Sequence, residues 1–207
     1  LTQALIEAKF LLARNHPMKH INKLKNRLAA FTLIELLVVI SIIAVLASLA
    51  LPAITGALVK GQITQTTSNY RQLYILTQSA NLDSQGAGGV GAFPGDLSTG
   101  SVTVSLWQAA LVSNYCSRAT FSNLLTVKGL PGNTTIWGAG STNDSSTTFL
   151  STLNIATAGA VGTGLPYGQK GGSVVTLGGS AISVTGTNTN GLTGLFWPAA
   201  SAPGAVN

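Results

Sequence analysis

One ionisable side chain lies where its charge is hardest to accommodate. Glu35 is the only charge in the run FTLIELLVVISIIAVLASLAL, residues 31–51. A carboxylate inside hydrocarbon is expensive and calls for a cation. The run contains no Lys or Arg, so the partner must come from elsewhere. A free α-amino group on Phe31 of a neighbouring copy would serve if the chain were cut just before Phe31. The bland alternative is an acid near the border of the run that reaches out to the interface.

Other chemistry is sparse. Both histidines, His16 and His20, precede that cut, and only Asp83, Asp96 and Asp144 remain as acids beyond the run. Histidine-dependent nucleophilic catalysis and His-ligated metals are therefore not expected in a cut chain. Asp144, with Asn143, Ser145 and Ser146 beside it, is a weak calcium candidate, and a solvated turn is the better reading of it. No other cofactor is expected, because the glycine pairs lack the Lys-Ser/Thr of a phosphate loop. Cys116 is the sole cysteine, so it has no intrachain partner and reads as a small buried hydrophobe. Trp107, Trp137 and Trp197 read as packing residues. The expectation is a protein that is not an enzyme.

The elements that would position Glu35 follow from length and charge. The 21-residue run spans roughly 30 Å as a helix, the thickness of a bilayer core. It is longer than the apolar core of an ordinary secretory signal. The first thirty residues carry six basic residues against Glu7, whereas the rest of the chain nets +1. Lys19, Lys23, Lys25 and Arg27 directly precede the run, which predicts a cytoplasmic N-terminus and a translocated remainder. The pI near 9.8 is thereby a matter of topology, and no nucleic-acid partner is expected.

After the run, Ile54, Leu58, Ile63, Tyr70, Leu73, Tyr74, Thr77 and Ala80 recur at helical steps with one slip, predicting an amphipathic continuation to about Leu82. Pro52, Gly56 and Gly61 predict loosening between Pro52 and Gly61, with a kink at Pro52. Residues 83–207 hold 22 of the 24 glycines and many Ser, Thr and Asn. Within them, Gly86–Gly91 reads as a linker and Phe93–Asp96 as a turn. Leu106–Val112 reads as a short helix capped by Ser105. Phe121–Val127 is ambiguous. Thr147–Leu153, Ser173–Leu177 and Ser180–Val184 read as strands, the last two joined by a two-residue Gly178-Gly179 hairpin turn. The expected fold class is α+β: a long N-terminal helix, membrane-spanning in its first half, packed through its second half on a small antiparallel sheet. The expected divisions are 1–30, an upstream extension and leader; 31–51, a transmembrane helix; 52–82, its continuation; and 83–207, a globular domain. Met18, the only methionine, is the expected true start.

The residues LKNRLAA followed by FTLIELLVVISIIAVLASLALP resemble the start of type IV pilins and of the pseudopilins of type II secretion. The resemblance covers Lys19 to about Leu58. It implies cleavage between Ala30 and Phe31 by a membrane-embedded aspartic prepilin peptidase, then methylation of Phe31. It also implies that Glu35 pairs with the N-terminal amine of an adjacent subunit during assembly, and that Pro52 marks a bend. Ala30 departs from the glycine usual before the cut. The implied partners are copies of the chain, other pilin-like subunits, the peptidase and an inner-membrane assembly machinery. The implied product is a type II secretion pseudopilus or a type IV pilus-like filament, with the globular domain in the periplasm or on an extracellular fibre. The rival reading is an uncleaved, membrane-anchored extracytoplasmic binding module.

Overall fold

A computed structural model describes residues 31–97, 104–112, 114–128, 132–155, 160–164 and 166–198. The chain divides into two compact units between Leu51 and Pro52. The first unit, as far as it is described, is helical from Leu33 onward and apolar on every side. Its side chains are exposed, including Leu33, Ile34, Leu36 and Ile43. This is the surface a lipid-facing span requires. The helix that contains it, α1, runs from Leu33 to Gly86 and is long and apolar enough to cross a membrane.

The second unit is an α+β domain. Residues of α1 after Pro52 pack on a four-stranded antiparallel sheet, β1 (Thr134–Ile136), β2 (Thr148–Thr152), β3 (Gly171–Thr176) and β4 (Ala181–Thr185), in that spatial order. Two short helices, α2 (Val104–Leu111) and α3 (Arg118–Leu125), complete the layer. Ile63, Tyr70, Leu73 and Ala80 of α1 join Trp107, Phe121, Phe149 and Val175 in the main core. Trp107 sits edge-on to Phe121 and Phe149, at centroid distances of 5.1 and 5.2 Å. The opposite face of the sheet is covered by its own chain: Val174 and Val184 pack with Leu192, and Trp197 stacks edge-on to Trp137 at 5.0 Å.

Hydroxyls tie α1 to the sheet. Ser173 Oγ donates to Ile63 O at 3.0 Å, and Tyr70 OH meets Thr134 Oγ1 at 2.7 Å. Burial pushes the Tyr70 hydroxyl far above its ordinary ionisation range, so it stays a neutral partner. The chain has few charges but many small hydroxyls, and several of these pair with buried polar groups between the layers.

Residues Pro52 to Gly61 are helical at every position, within the continuous α1. Several other local expectations need correction. Ile54 and Leu58 lie outside the buried stripe, with 54% and 61% exposure. Nine residues separate Ile54 from Ile63, about two and a half turns, so they face opposite ways. Gly86–Gly91 begins with an ordered helix end rather than a linker. Gly88, at φ 75°, allows Gly89 N–H to reach Ser84 O at 2.8 Å and Gly88 N–H to reach Gln85 O at 3.0 Å, the paired bonds of a Schellman cap. Ser105 lies within α2, not before it. Phe121 belongs to α3, whose N-cap Ser117 accepts from Thr120 N–H at 3.1 Å.

The Gly178-Gly179 connection is longer than two residues. The last ladder pair is Val175 with Ala181, Gly179 N–H closes on Thr176 O at 3.0 Å, and of the two glycines only Gly179 has positive φ. Leu177 and Gly178 donate to Thr147 O and Ser145 O, which draws the loop toward the entry of β2. The Phe93–Asp96 turn is present, closed by Asp96 N–H to Phe93 O at 2.9 Å. β1 was not among the expected strands.

Candidate functional site

The start of α1 carries the residues singled out for their chemistry. Ala30 lies outside the described residues. Phe31 is 73% exposed. Thr32 is the residue before the helix, and its Oγ1 accepts from Glu35 N–H at 3.3 Å. In return Glu35 Oε2 accepts from Thr32 N–H at 2.9 Å and from Thr32 Oγ1 at 2.8 Å. This is a reciprocal capping box, with Thr at the N-cap and Glu three residues on. It answers the unsatisfied N–H groups that every helix start presents, and it sets a carboxylate at the positive end of the helix dipole.

The box engages only one oxygen of Glu35. Among the described residues Oε1 has no donor, and the side chain is exposed. A shallow apolar hollow formed by Phe31, Ile34, Val38 and Val39 borders the carboxylate. The arrangement presents one open carboxylate oxygen on an apolar surface, while the other is held by the N–H and hydroxyl of Thr32. It can accept an ammonium or amine N–H from outside the chain. The sequence signal for the box, a Thr followed three residues later by Glu before an apolar run, is plain in residues 32–35.

The structure does not bring the other candidates to this place. Pro52 is inside α1, and Thr55 Oγ1 donates to its carbonyl at 3.0 Å. Asp144 is exposed in a turn, where Oδ1 accepts from Ser146 N–H at 2.7 Å, and this bond lowers its pKa below the usual carboxylate value. Among the described residues no group of three His, Cys, Asp or Glu side chains gathers as metal ligands. Cys116 is half-buried beside Leu111, and burial pushes its thiol pKa up. Asp96, expected only as the end of a turn, is a structural clasp. Its carboxylate accepts from Ser141 N–H at 2.8 Å, Ser141 Oγ at 3.1 Å and Phe93 N–H at 3.3 Å, joining two loops.

Comparison with known proteins places the signature on the same residues. Residues 25–51 match the model of the prokaryotic N-terminal methylation motif. This is the prepilin-type signature of type IV pilins and pseudopilins, and it contains Ala30, Phe31, Thr32 and Glu35. No curated protein and no solved structure matches the chain. The motif and the long apolar helix that it opens fit a membrane-anchored pilin-like subunit, and the α+β domain is consistent with a pilin-like fold.

Proposed function

We propose that the chain is inserted with its N-terminus in the cytoplasm, cut between Ala30 and Phe31 by a prepilin peptidase, and methylated on Phe31. The mature subunit then leaves the inner membrane for a helical filament, where apolar helices exchange lipid for one another. Glu35 receives the N-terminal amine of an adjacent copy. The observation that carries this reading is the coincidence of the methylation motif with an acid whose Oε1 is open and whose Oε2 is fixed by Thr32. A monomethylated amine keeps its positive charge and two of its three N–H donors, so modification leaves the pairing chemistry intact.

Among filament systems, a secretion pseudopilus is the favoured one, because the single cysteine rules out an intrachain disulfide such as many pilins use to close a C-terminal loop. Mass analysis of the N-terminus, from cells that also make a prepilin peptidase, tests processing. The expected product starts at Phe31 with one added methyl group. A retained leader would overturn the reading in favour of a simple signal anchor. Glu35→Val is expected to insert into the membrane normally and to fail in filament incorporation. Normal incorporation would remove the pairing role.

A further inference from the structure

The charges of the second unit are sorted along α1. Lys60, Lys128 and Lys170 lie at the end where that unit begins, next to the apolar run. Tyr167 marks the level: its hydroxyl donates to Gln62 O at 3.1 Å and meets Thr66 Oγ1 at 2.8 Å. Lys128 Nζ donates to Pro166 O at 3.2 Å and stands 5.9 Å from the centre of the Tyr167 ring. Lys170 directly precedes Gly171, and a Cβ on Gly171 would stand 3.1 Å from Ile63 Cδ1. Lys60 is two helical turns before Thr67 and shares its side of α1. Thr67 Oγ1 in turn meets Ser173 Oγ of β3 at 2.8 Å, so Lys60 lies on the β3 side. All three lysines are exposed.

The acids lie far from them. Asp83 follows Ile63 on α1 by about 30 Å of helix. Asp144 adjoins Ser145, whose carbonyl accepts from Gly178 N–H, and Gly179 lies against the ring of Tyr74. Tyr74 is about 16 Å past Ile63. Asp96 belongs to the loop that Ala92 N–H ties to Asn81 Oδ1 at 3.1 Å, farther still along α1. The sequence past the apolar run holds no other acid, so nothing offsets the lysine end. Between that end and the run, residues 52–59 carry no charge, and Ile54 and Leu58 are exposed. Glu35 is the only charge in the 29 residues from Phe31 to Val59. At a helical rise those residues come to roughly 43 Å, the thickness of a bilayer with its headgroups. Lys60 is the first cation beyond them.

We propose that the lysine end of the second unit is a docking surface for anionic phospholipid headgroups, those of the leaflet from which Pro52 emerges, and that it seats the domain on the bilayer until the subunit is drawn into a filament. The proposal rests on the membrane-anchored part of the reading above. The apolar run tethers the lysines beside that surface, so a weak attraction suffices. A helical side chain leans toward the N-terminus of its helix, which turns the long arm of Lys60 toward the headgroups. Lys60 and Thr66 point about 120° apart around α1, so Lys60 and the Tyr167–Lys128 pair stand on different flanks of the domain. The ammonium groups border its end and do not converge on one point. That spread suits a plane of many phosphates and does not suit a single small anion.

The test uses the full-length protein, one copy per lipid nanodisc, in phosphatidylcholine alone or in a three-to-one mixture with phosphatidylglycerol. A dye on Gln169→Cys, in a Cys116→Ser background, reports energy transfer to an acceptor on the headgroups. Transfer is expected to be higher in the anionic discs and to fall to the neutral value at molar salt, where the screening length is about 3 Å. Each lysine near such a surface is expected to change the seated-to-unseated ratio about fivefold, so Lys60→Gln with Lys170→Gln lowers it about 25-fold. Near-ultraviolet circular dichroism checks that this variant is folded, and Lys170→Gln alone, at about fivefold, serves if it is not. Equal transfer in the two lipids, or a folded variant that transfers like wild type, would overturn the proposal and leave the membrane anchor standing. Competition by millimolar inorganic phosphate at constant ionic strength would show a discrete anion site and overturn the choice of lipid. A chain that does not enter the discs at all would overturn the membrane-spanning reading, and this surface with it.

Discussion

Thr77→Val is the sharpest test of how α1 is fixed to its domain. Trp107 and Thr77 are both fully buried. Trp107 Nε1–H donates to Thr77 Oγ1 at 3.2 Å, and Thr77 Oγ1 donates to Leu73 O at 2.8 Å. Valine keeps the shape of threonine but offers no acceptor. Leu73 O retains its helical bond, so its loss is small. The indole N–H, however, is left buried and unpaired, at a cost of about 1–3 kcal/mol. Valine's extra apolar surface returns a fraction of this, which leaves a net loss of about 2 kcal/mol. For a chain of this size that lowers Tm by about 4–8 °C. The assay is thermal unfolding of the detergent-solubilised protein followed by near-ultraviolet circular dichroism, which reads the packed indole. In a Trp107→Phe background the N–H is gone, and Thr77→Val is expected to cost less than about 0.5 kcal/mol, giving a strong coupling between the two sites. A Thr77→Val protein as stable as wild type, or the same cost in both backgrounds, would refute the claim that this bond matters.

Two further outcomes follow from the domain. Gly171 has φ 133°, and a Cβ there would collide with Val184 O and stand 3.1 Å from Ile63 Cδ1; Gly171→Ala is therefore expected to cost about 3 kcal/mol, read as a shift in the urea midpoint. Tyr115 donates to Asp83, which raises its pKa. Its neutral form is favoured in the folded state, so the stabilisation is complete below the ordinary tyrosine pKa and is lost as pH rises through the higher folded value. Ultraviolet titration should show Asp83→Asn moving one tyrosine back toward its ordinary pKa, and no movement would break the assignment.

The parts legible in the sequence are those set by local pattern. The apolar run of residues 31–51 announces a span by length, and the Val- and Thr-rich segments that became β2, β3 and β4 announce themselves by composition. β1 is not legible because three residues are too few to show alternation, although Thr134, Thr135 and Ile136 are all β-branched. The misplaced Ile54 and Leu58 show the limit of periodicity: a stripe read across a one-residue slip rotates by about 100°. The turn at Gly178-Gly179 and the clasp at Asp96 depend on carbonyls and amides distant in sequence, such as Thr147 O and Ser141 N–H, which no local window contains. At the candidate site the acid was legible and its partner was not, because an unusual charge outweighs an ordinary capping pattern.

That capping pattern alters how the acid should be understood. A lone carboxylate in an apolar helix looks like an orphan that assembly rescues. Glu35 is not an orphan: Thr32 supplies two donors to Oε2, and the helix start supplies a favourable field. A neighbour's amine at Oε1 adds to this arrangement rather than replacing water or lipid around a bare charge. Glu35→Val therefore removes two things at once, the cap and the charge. Glu35→Gln separates them, because its carbonyl oxygen still accepts from Thr32 while its charge is gone. Thr32→Val separates them the other way, keeping the charge and the backbone N–H but losing the hydroxyl. If pairing with an incoming amine drives assembly, Glu35→Gln should fail in filament incorporation nearly as completely as Glu35→Val, and Thr32→Val should be only slowed. If Glu35→Gln assembles fully while Thr32→Val fails, the acid serves to fix the helix start, and the partner amine must find its counter-charge elsewhere.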